Sequence, residues 1–265
     1  MGDKSAIEWT DATWNPVTGC TPISAGCDHC YAETLSIRLQ RMGVSKYKNG
    51  FALTLHPEVL SQPMAWKSPR RVFVNSMSDL FHARVPFEFV SQVWEVMREC
   101  PQHTFQILTK RPERMARFAF DNPAPPNVWL GTSVEDERVI DRIDRLRRCR
   151  SDVRFLSCEP LIGPLDNLDL AGINWVIVGG ESGPGHRPVR LEWVRNIRDQ
   201  CIQSNVSFFF KQWGGQTPKA GGHVLDGRVW NQFPSVASEA IATGTQLSLY
   251  PRTFPFGDPA LLPVG

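Results

Sequence analysis

No apolar run in this chain is long enough to cross a bilayer, and its first residues, Met1-Gly2-Asp3-Lys4, lack the charged and apolar regions of a secretory signal. Ala6 stands where a myristoylation signal needs serine or threonine. A cytoplasmic protein without membrane partners is therefore expected. Charge of one sign is also missing: 29 Lys+Arg against 27 Asp+Glu leave a net +2, which neither demands nor excludes a nucleic-acid partner. Seven cysteines, an odd number scattered through a domain of ordinary size, argue against a disulfide framework and for reduced thiols or metal ligands. Low-complexity blocks and internal repeats are absent beyond one recurring rhythm.

That rhythm is strand, loop, helix. Short β-rich runs occur at Arg71–Asn75, Thr104–Thr109, Asn127–Gly131, Val153–Ser157, Asn174–Val178 and Val206–Phe210, with a weaker first run near Thr13–Val17. Between them, Pro86–Glu99, Pro112–Phe120, Glu135–Arg148 and Leu191–Gln203 carry apolar residues at helical spacing, and Glu33–Met42 forms another such stretch. Alternation of this kind predicts an α/β fold built on a parallel sheet of about six to seven strands, covering residues 1–216. From Thr217 the rhythm stops, and 217–265 reads as an irregular C-terminal extension with one hairpin and a flexible tail.

Polar residues and glycines appear abruptly at the C-terminal end of each expected strand. They are Asn75-Ser76-Met77-Ser78-Asp79, Thr109-Lys110-Arg111, Thr132-Ser133-Val134-Glu135, Cys158-Glu159-Pro160, Gly179-Gly180-Glu181 and Lys211-Gln212-Trp213. In parallel α/β folds those ends form one rim, where ligands bind, so six polar loops there predict an active site.

The strongest chemical signal is Cys20-x6-Cys27-x2-Cys30, in a loop between the first expected strand and the first helix. Soft thiolates bind iron–sulfur clusters or zinc, and three ligands on a [4Fe-4S] cluster leave one iron free for a cofactor or substrate. A Cys3His zinc site completed by His29 or His56, or unligated thiols, are the alternatives. Cys100, Cys149 and Cys201 fall on helical faces as small buried apolar residues. Cys158, at a strand end, is expected to point toward the rim, where a thiol can donate a hydrogen atom or proton; a buried structural cysteine is the other reading.

Three cysteines after the first strand, Tyr31-Ala32 directly after the third, and a parallel β/α continuation resemble the radical S-adenosylmethionine (SAM) superfamily. Two features depart from its commonest pattern: six residues rather than three separate the first two cysteines, and His29 replaces the usual aromatic. A closer likeness is to a phage-associated, uncharacterised family of radical-SAM-like three-cysteine proteins. It rests on Trp14-Asn15-Pro16-Val17-Thr18-Gly19-Cys20, Cys27-Asp28-His29-Cys30-Tyr31-Ala32, Phe73-Val74-Asn75-Ser76-Met77-Ser78-Asp79-Leu80-Phe81 and Leu108-Thr109-Lys110-Arg111-Pro112. It continues through Leu130–Glu135, Ser157–Leu161, Gly179–Gly183 and Phe210–Gly214.

The superfamily resemblance implies a partial (β/α) barrel in which SAM chelates the open iron and is cleaved to a 5′-deoxyadenosyl radical, with an external electron donor reducing the cluster. In the superfamily the loop after the second strand holds the SAM amino group; here that loop offers Asn75, Ser76, Ser78 and Asp79. Asp79 is suited to accept from the ammonium, Lys110 or Arg111 to pair with a carboxylate or phosphate, and Thr132, Ser133 and Glu135 to hold ribose hydroxyls. Glu159, Glu181, Lys211 and Gln212 remain for substrate, Glu181 being also a SAM candidate through its glycine-glycine-glutamate motif. The alternative for all of these is mutual pairing of rim charges.

For the substrate, the phage association of the resembled family, the rim lysine and arginine, and Trp213 and Trp230 as exposed stacking surfaces point to nucleic acid: lesion repair or base modification, similar to the reaction of spore photoproduct lyase. A non-catalytic nucleic-acid-binding protein stabilised by zinc or a structural cluster, and a small-molecule or peptide-modifying radical enzyme, are the rivals. Oligomeric state is not legible.

Overall fold

Valine, isoleucine, phenylalanine and tryptophan alternate between two faces of a sheet whose strands are buried on both, as parallel strands must be. The computed structural model describes residues 5–235. Its strands are β1 (Ala12–Trp14), β2 (Val17–Thr18), β3 (Thr54–Leu55), β4 (Arg71–Val74), β5 (Thr104–Thr109), β6 (Val128–Ser133), β7 (Arg154–Cys158), β8 (Trp175–Gly179), β9 (Ser207–Gln212), β10 (Val224–Leu225) and β11 (Arg228–Val229). The helices are α1 (Tyr31–Arg41), α2 (Phe87–Glu99), α3 (Pro112–Asp121), α4 (Arg142–Arg147) and α5 (Leu191–Gln203).

Seven strands form one sheet in the order β1-β4-β5-β6-β7-β8-β9, every neighbouring pair parallel. The order follows the chain without reversal, so the sheet curls in one direction as an α/β half-barrel, the expected fold class. Two small antiparallel pairs, β2-β3 and β10-β11, stand apart from it.

Strand alternation separates two interiors. Val72, Val74, Phe105, Ile107, Val128, Leu130, Leu156, Cys158, Val176, Val178, Phe208 and Phe210 pack outward against the helices as the main core. On the concave side, Phe73, Trp129, Phe155 and Trp175 meet Trp9 and Phe209 in an aromatic floor, with Trp9 4.6 Å from Phe73 and 6.2 Å from Trp175 between ring centroids. Phe233 joins it, 5.1 Å from Trp175, under the guanidinium of Arg71.

Two expectations need correction. The first strand is split: Pro16 has no N–H to give a ladder, so the chain leaves β1 at Trp14 and re-pairs as β2 with β3. The helix expected over 135–148 is a 3-10 turn, Glu137–Val139, followed by the short α4. Asp136 caps that turn by accepting from the Arg138 N–H at 2.9 Å, so Glu135 stays outside it. No helix is expected in the crossover between β7 and β8 and none forms there, since Pro160, Gly163 and Pro164 break any helical run. The expected hairpin is β10-β11, while residues 236–265 of the expected extension lie outside the described residues. Among the described residues no helix is long and apolar enough to cross a membrane.

Candidate functional site

The C-terminal strand ends surround a cavity of about 650 Å³, within the roughly 300–1,000 Å³ range of ligand clefts. Cys20, Cys27 and Cys30 line it, as do Asn75, Ser76, Asp79, Lys110, Arg111, Ser133, Glu159, Glu181, Lys211 and Gln212. The sequence-expected rim residues thus converge on one space, with three exceptions. Thr132 points to the helix side and donates its hydroxyl to the Thr109 carbonyl at 2.8 Å. Glu135 lies beneath the cysteine loop rather than on the cavity wall. Cys158 is fully buried in the outer core, and burial, with a smaller push from Cys201, drives its pKa far up. Alternation decides this last case: Ser157 and Glu159 take the inward positions that Cys158 was expected to share.

Each cysteine is placed by local backbone. Gly19, φ +81°, donates its N–H to Met77 O at 3.0 Å, and a Cβ there would collide with the Ala52 carbonyl, so only glycine brings Cys20 to this turn. Cys27 ends a one-turn 3-10 helix closed by its own N–H to Ser24 O at 2.9 Å. Cys30 is the N-cap of α1, at the helix start but with no capping hydrogen bond from its side chain. Burial pushes the Cys20 and Cys30 thiols up.

Three ion-paired clamps hold the loop. At its start, Arg111 donates to Asp79 Oδ2 at 2.8 Å, to Cys20 Sγ at 3.6 Å and to Thr21 O at 2.9 Å. Asp79 is itself saturated, its Oδ1 accepting from Thr109 Oγ1 at 2.7 Å and from the Phe81 amide at 2.9 Å. In the middle, Glu135, 1% exposed, pairs with Lys110 and, at 2.9 Å, with Arg142, while Ser24 Oγ donates to it at 3.2 Å. Burial alone would raise the Glu135 carboxyl, but the Lys110 and Arg142 charges hold it below the usual carboxylate range. At the far end, Arg187 pairs with buried Glu181 at 2.6 Å and reaches back to Ala25 O at 2.8 Å and Asp28 Oδ2 at 3.3 Å.

Several expected ligand-holding charges are therefore spent on the protein itself. Asp79, Lys110, Arg111, Glu135 and Glu181 serve the loop, and Lys211 pairs with Glu159 in the cavity wall. Arg142 and Arg187 were missed by sequence reasoning. A signal existed: a glutamate expected to be buried requires a cation, and arginines follow Glu135 and Glu181 by seven and six residues.

Among the described residues, no three His, Cys, Asp or Glu side chains close around a point fit for one metal ion. His56, one proposed fourth zinc ligand, has both ring nitrogens engaged, with Thr18 Oγ1 at 2.8 Å and Glu58 at 3.1 Å; His29 lines the cavity. A four-iron cube takes each thiolate on a different iron, and three cysteines lining one cavity suit it in ligand type and number. The wall also holds a buried donor without an acceptor, Asn75 Nδ2, whose Oδ1 is occupied by the Val17 amide at 3.2 Å and whose backbone is left-handed at φ +61°. An orphaned donor in a cavity wall suits an acceptor oxygen of a bound molecule.

The expected aromatic stacking surfaces are not free. Trp230 is 9% exposed, packed on Phe208 with Arg228 over its ring, and Trp213 packs on Phe210 while donating to Val224 O at 2.9 Å.

Fold and site together define a parallel α/β half-barrel with a three-cysteine loop clamped over its rim cavity. The chain belongs to the family described as "Protein of unknown function (DUF5131)", which matches residues 4–234. No curated protein matches it. Among solved structures it is similar to spore photoproduct lyase complexed with dinucleoside spore photoproduct, at 11% identity and TM-score 0.49, over 77% of this chain and 64% of that one. A mutant of that lyase with bound AdoMet and the same dinucleoside matches at 11% identity and TM-score 0.46, over the same shares. The chain thus spans 64% of the length of the lyase chains it matches.

Proposed function

We propose that this protein is a radical SAM enzyme that holds a [4Fe-4S] cluster on Cys20, Cys27 and Cys30. The observation that carries the reading is that all three cysteines line the rim cavity, on a loop hydrogen-bonded to members of three ion pairs at the strand ends. When bound, the cluster and SAM supply a 5′-deoxyadenosyl radical after one-electron reduction by an external donor. The protein's share is to orient and to exclude water. Asn75 Nδ2 offers a donor to a SAM carboxylate oxygen, and Ser76 and Ser133 line the same space. Glu159 and Lys211, paired and largely buried, are the groups we assign to the substrate, positioned to hold or move a proton between carboxylate and amine. Cys158 has no place in this site.

For the substrate we favour a nucleic acid, undergoing lesion repair or base modification, from which one extruded base enters the cavity. Lys219, which lines the cavity and makes no ion pair among the described residues, is available to a phosphate.

The test is anaerobic purification, reconstitution with iron and sulfide, and electron paramagnetic resonance of the dithionite-reduced protein with and without SAM, beside Cys27→Ala. The expected result is a reduced-cluster signal that SAM perturbs and the variant lacks. Stoichiometric zinc with no such signal would replace the radical reading with that of a metal-stabilised binding protein. A SAM-responsive cluster whose turnover ignores nucleic acids would redirect the search to peptides and small molecules.

A further inference from the structure

The three sulfurs do not have equivalent neighbours. Cys30 stands at a helix start with no capping hydrogen bond from its side chain, and Cys27 has the Ser24 hydroxyl at 3.9 Å. Cys20 alone has a formally charged donor within hydrogen-bond reach, Arg111 Nη1 at 3.6 Å. That guanidinium is held in place. Arg111 and Asp79 are 12% and 8% exposed at their side chains, and their 2.8 Å ion pair is backed by the Thr109 hydroxyl and the Phe81 and Lys110 amides on Asp79. The second Arg111 nitrogen is bound to Thr21, the residue after Cys20. Neither partner is left over to grip a ligand elsewhere, so the pair's directed output is the Cys20 sulfur.

Hydrogen bonds to ligating sulfurs, and charges beside them, are among the levers that set an iron–sulfur potential. Taking the cluster reading above as its basis, we propose that Arg111, oriented by Asp79, is a positioning residue that donates to the Cys20 thiolate and raises the reduction potential of the cluster at that corner. Asp79 acts in the opposite sense, since its negative charge offsets the guanidinium beside the same sulfur. The structure thereby assigns these two residues to tuning the cluster, not to gripping the SAM ammonium and carboxylate.

The opposed signs supply a signature that mere structural support lacks. Cluster midpoint potentials would be measured by anaerobic spectroelectrochemistry on reconstituted wild type, Arg111→Gln, Arg111→Lys and Asp79→Asn, each with its iron and sulfide content. The expected result is a more negative potential in Arg111→Gln, partial recovery in Arg111→Lys, and a more positive potential in Asp79→Asn. Unchanged potentials, or shifts of the same sign in Arg111→Gln and Asp79→Asn, would overturn the proposal while leaving the cluster reading intact. Should Arg111→Gln not fold, the sign of Asp79→Asn against Arg111→Lys decides alone. A wild type holding no four-iron cluster would instead show by its iron content that the underlying reading, and this inference with it, is wrong.

Discussion

Arg187 donates to Asp28 across 3.3 Å, joining residues 159 apart in the chain, and the same guanidinium neutralises buried Glu181. The loop after β8 thereby reaches the cysteine loop.

Removing that guanidinium should loosen the loop and strand a carboxylate. Arg187→Ala is expected to cost about 3 kcal/mol, because Glu181 is left buried without its partner. The double variant Arg187→Ala/Glu181→Gln should cost less than the single one. Urea unfolding measures both, and amide exchange over 24–28 should rise in each.

Two left-handed glycines, one beside Cys20 and one past the far end of α1, make a matched pair. Gly43, φ +72°, has open space where a Cβ would go, so Gly43→Ala should cost roughly 1–2 kcal/mol of backbone strain alone. Gly19→Ala adds a collision with the Ala52 backbone and should cost about 3 kcal/mol or more. Iron incorporation should fall only in Gly19→Ala, read by iron analysis after reconstitution.

Much of this architecture was legible in the sequence. The strand expected over 104–109 and the helix over 191–203 coincide with β5 and α5, because long periodic runs bounded by polar loops leave few alternatives. What could not be read was partnership. Nothing local says that Glu135 also takes Lys110, or that Asp79 turns to Arg111, since those pairs are made by strands meeting in space. Cys158 failed differently: β7 continues through it, so alternation turns Ser157 inward and sends the thiol outward with Leu156.

Buried thiols should make the protein alkali-sensitive. Burial raises Cys149 and Cys201 to about 12 from 9.0, so the folded state keeps protons that the unfolded chain releases. Their contribution is fully present below pH 9, and is lost as pH rises from there toward 12, by up to about 1.4 kcal/mol per group per pH unit. In the metal-free protein, a Cys149→Ala/Cys201→Ala variant should show a shallower fall in unfolding free energy between those limits.

Lys211→Met should separate cofactor chemistry from substrate chemistry. Combined with Glu159→Gln, so that no lone carboxylate is left in the wall, it is expected to keep iron content and SAM cleavage while lowering product formation roughly 10²-fold. Chromatography of 5′-deoxyadenosine against product measures the uncoupling.

The aromatic floor carries a consequence for how the molecule is made. Trp9 enters it from near one end of the described chain and Phe233 from near the other, with Trp175 touching both. A ribosome delivers Trp9 first and Phe233 more than two hundred residues later, so the concave side lacks its last ring until synthesis of this unit is nearly over. The cysteine loop, made early, waits through that interval above an unfinished base.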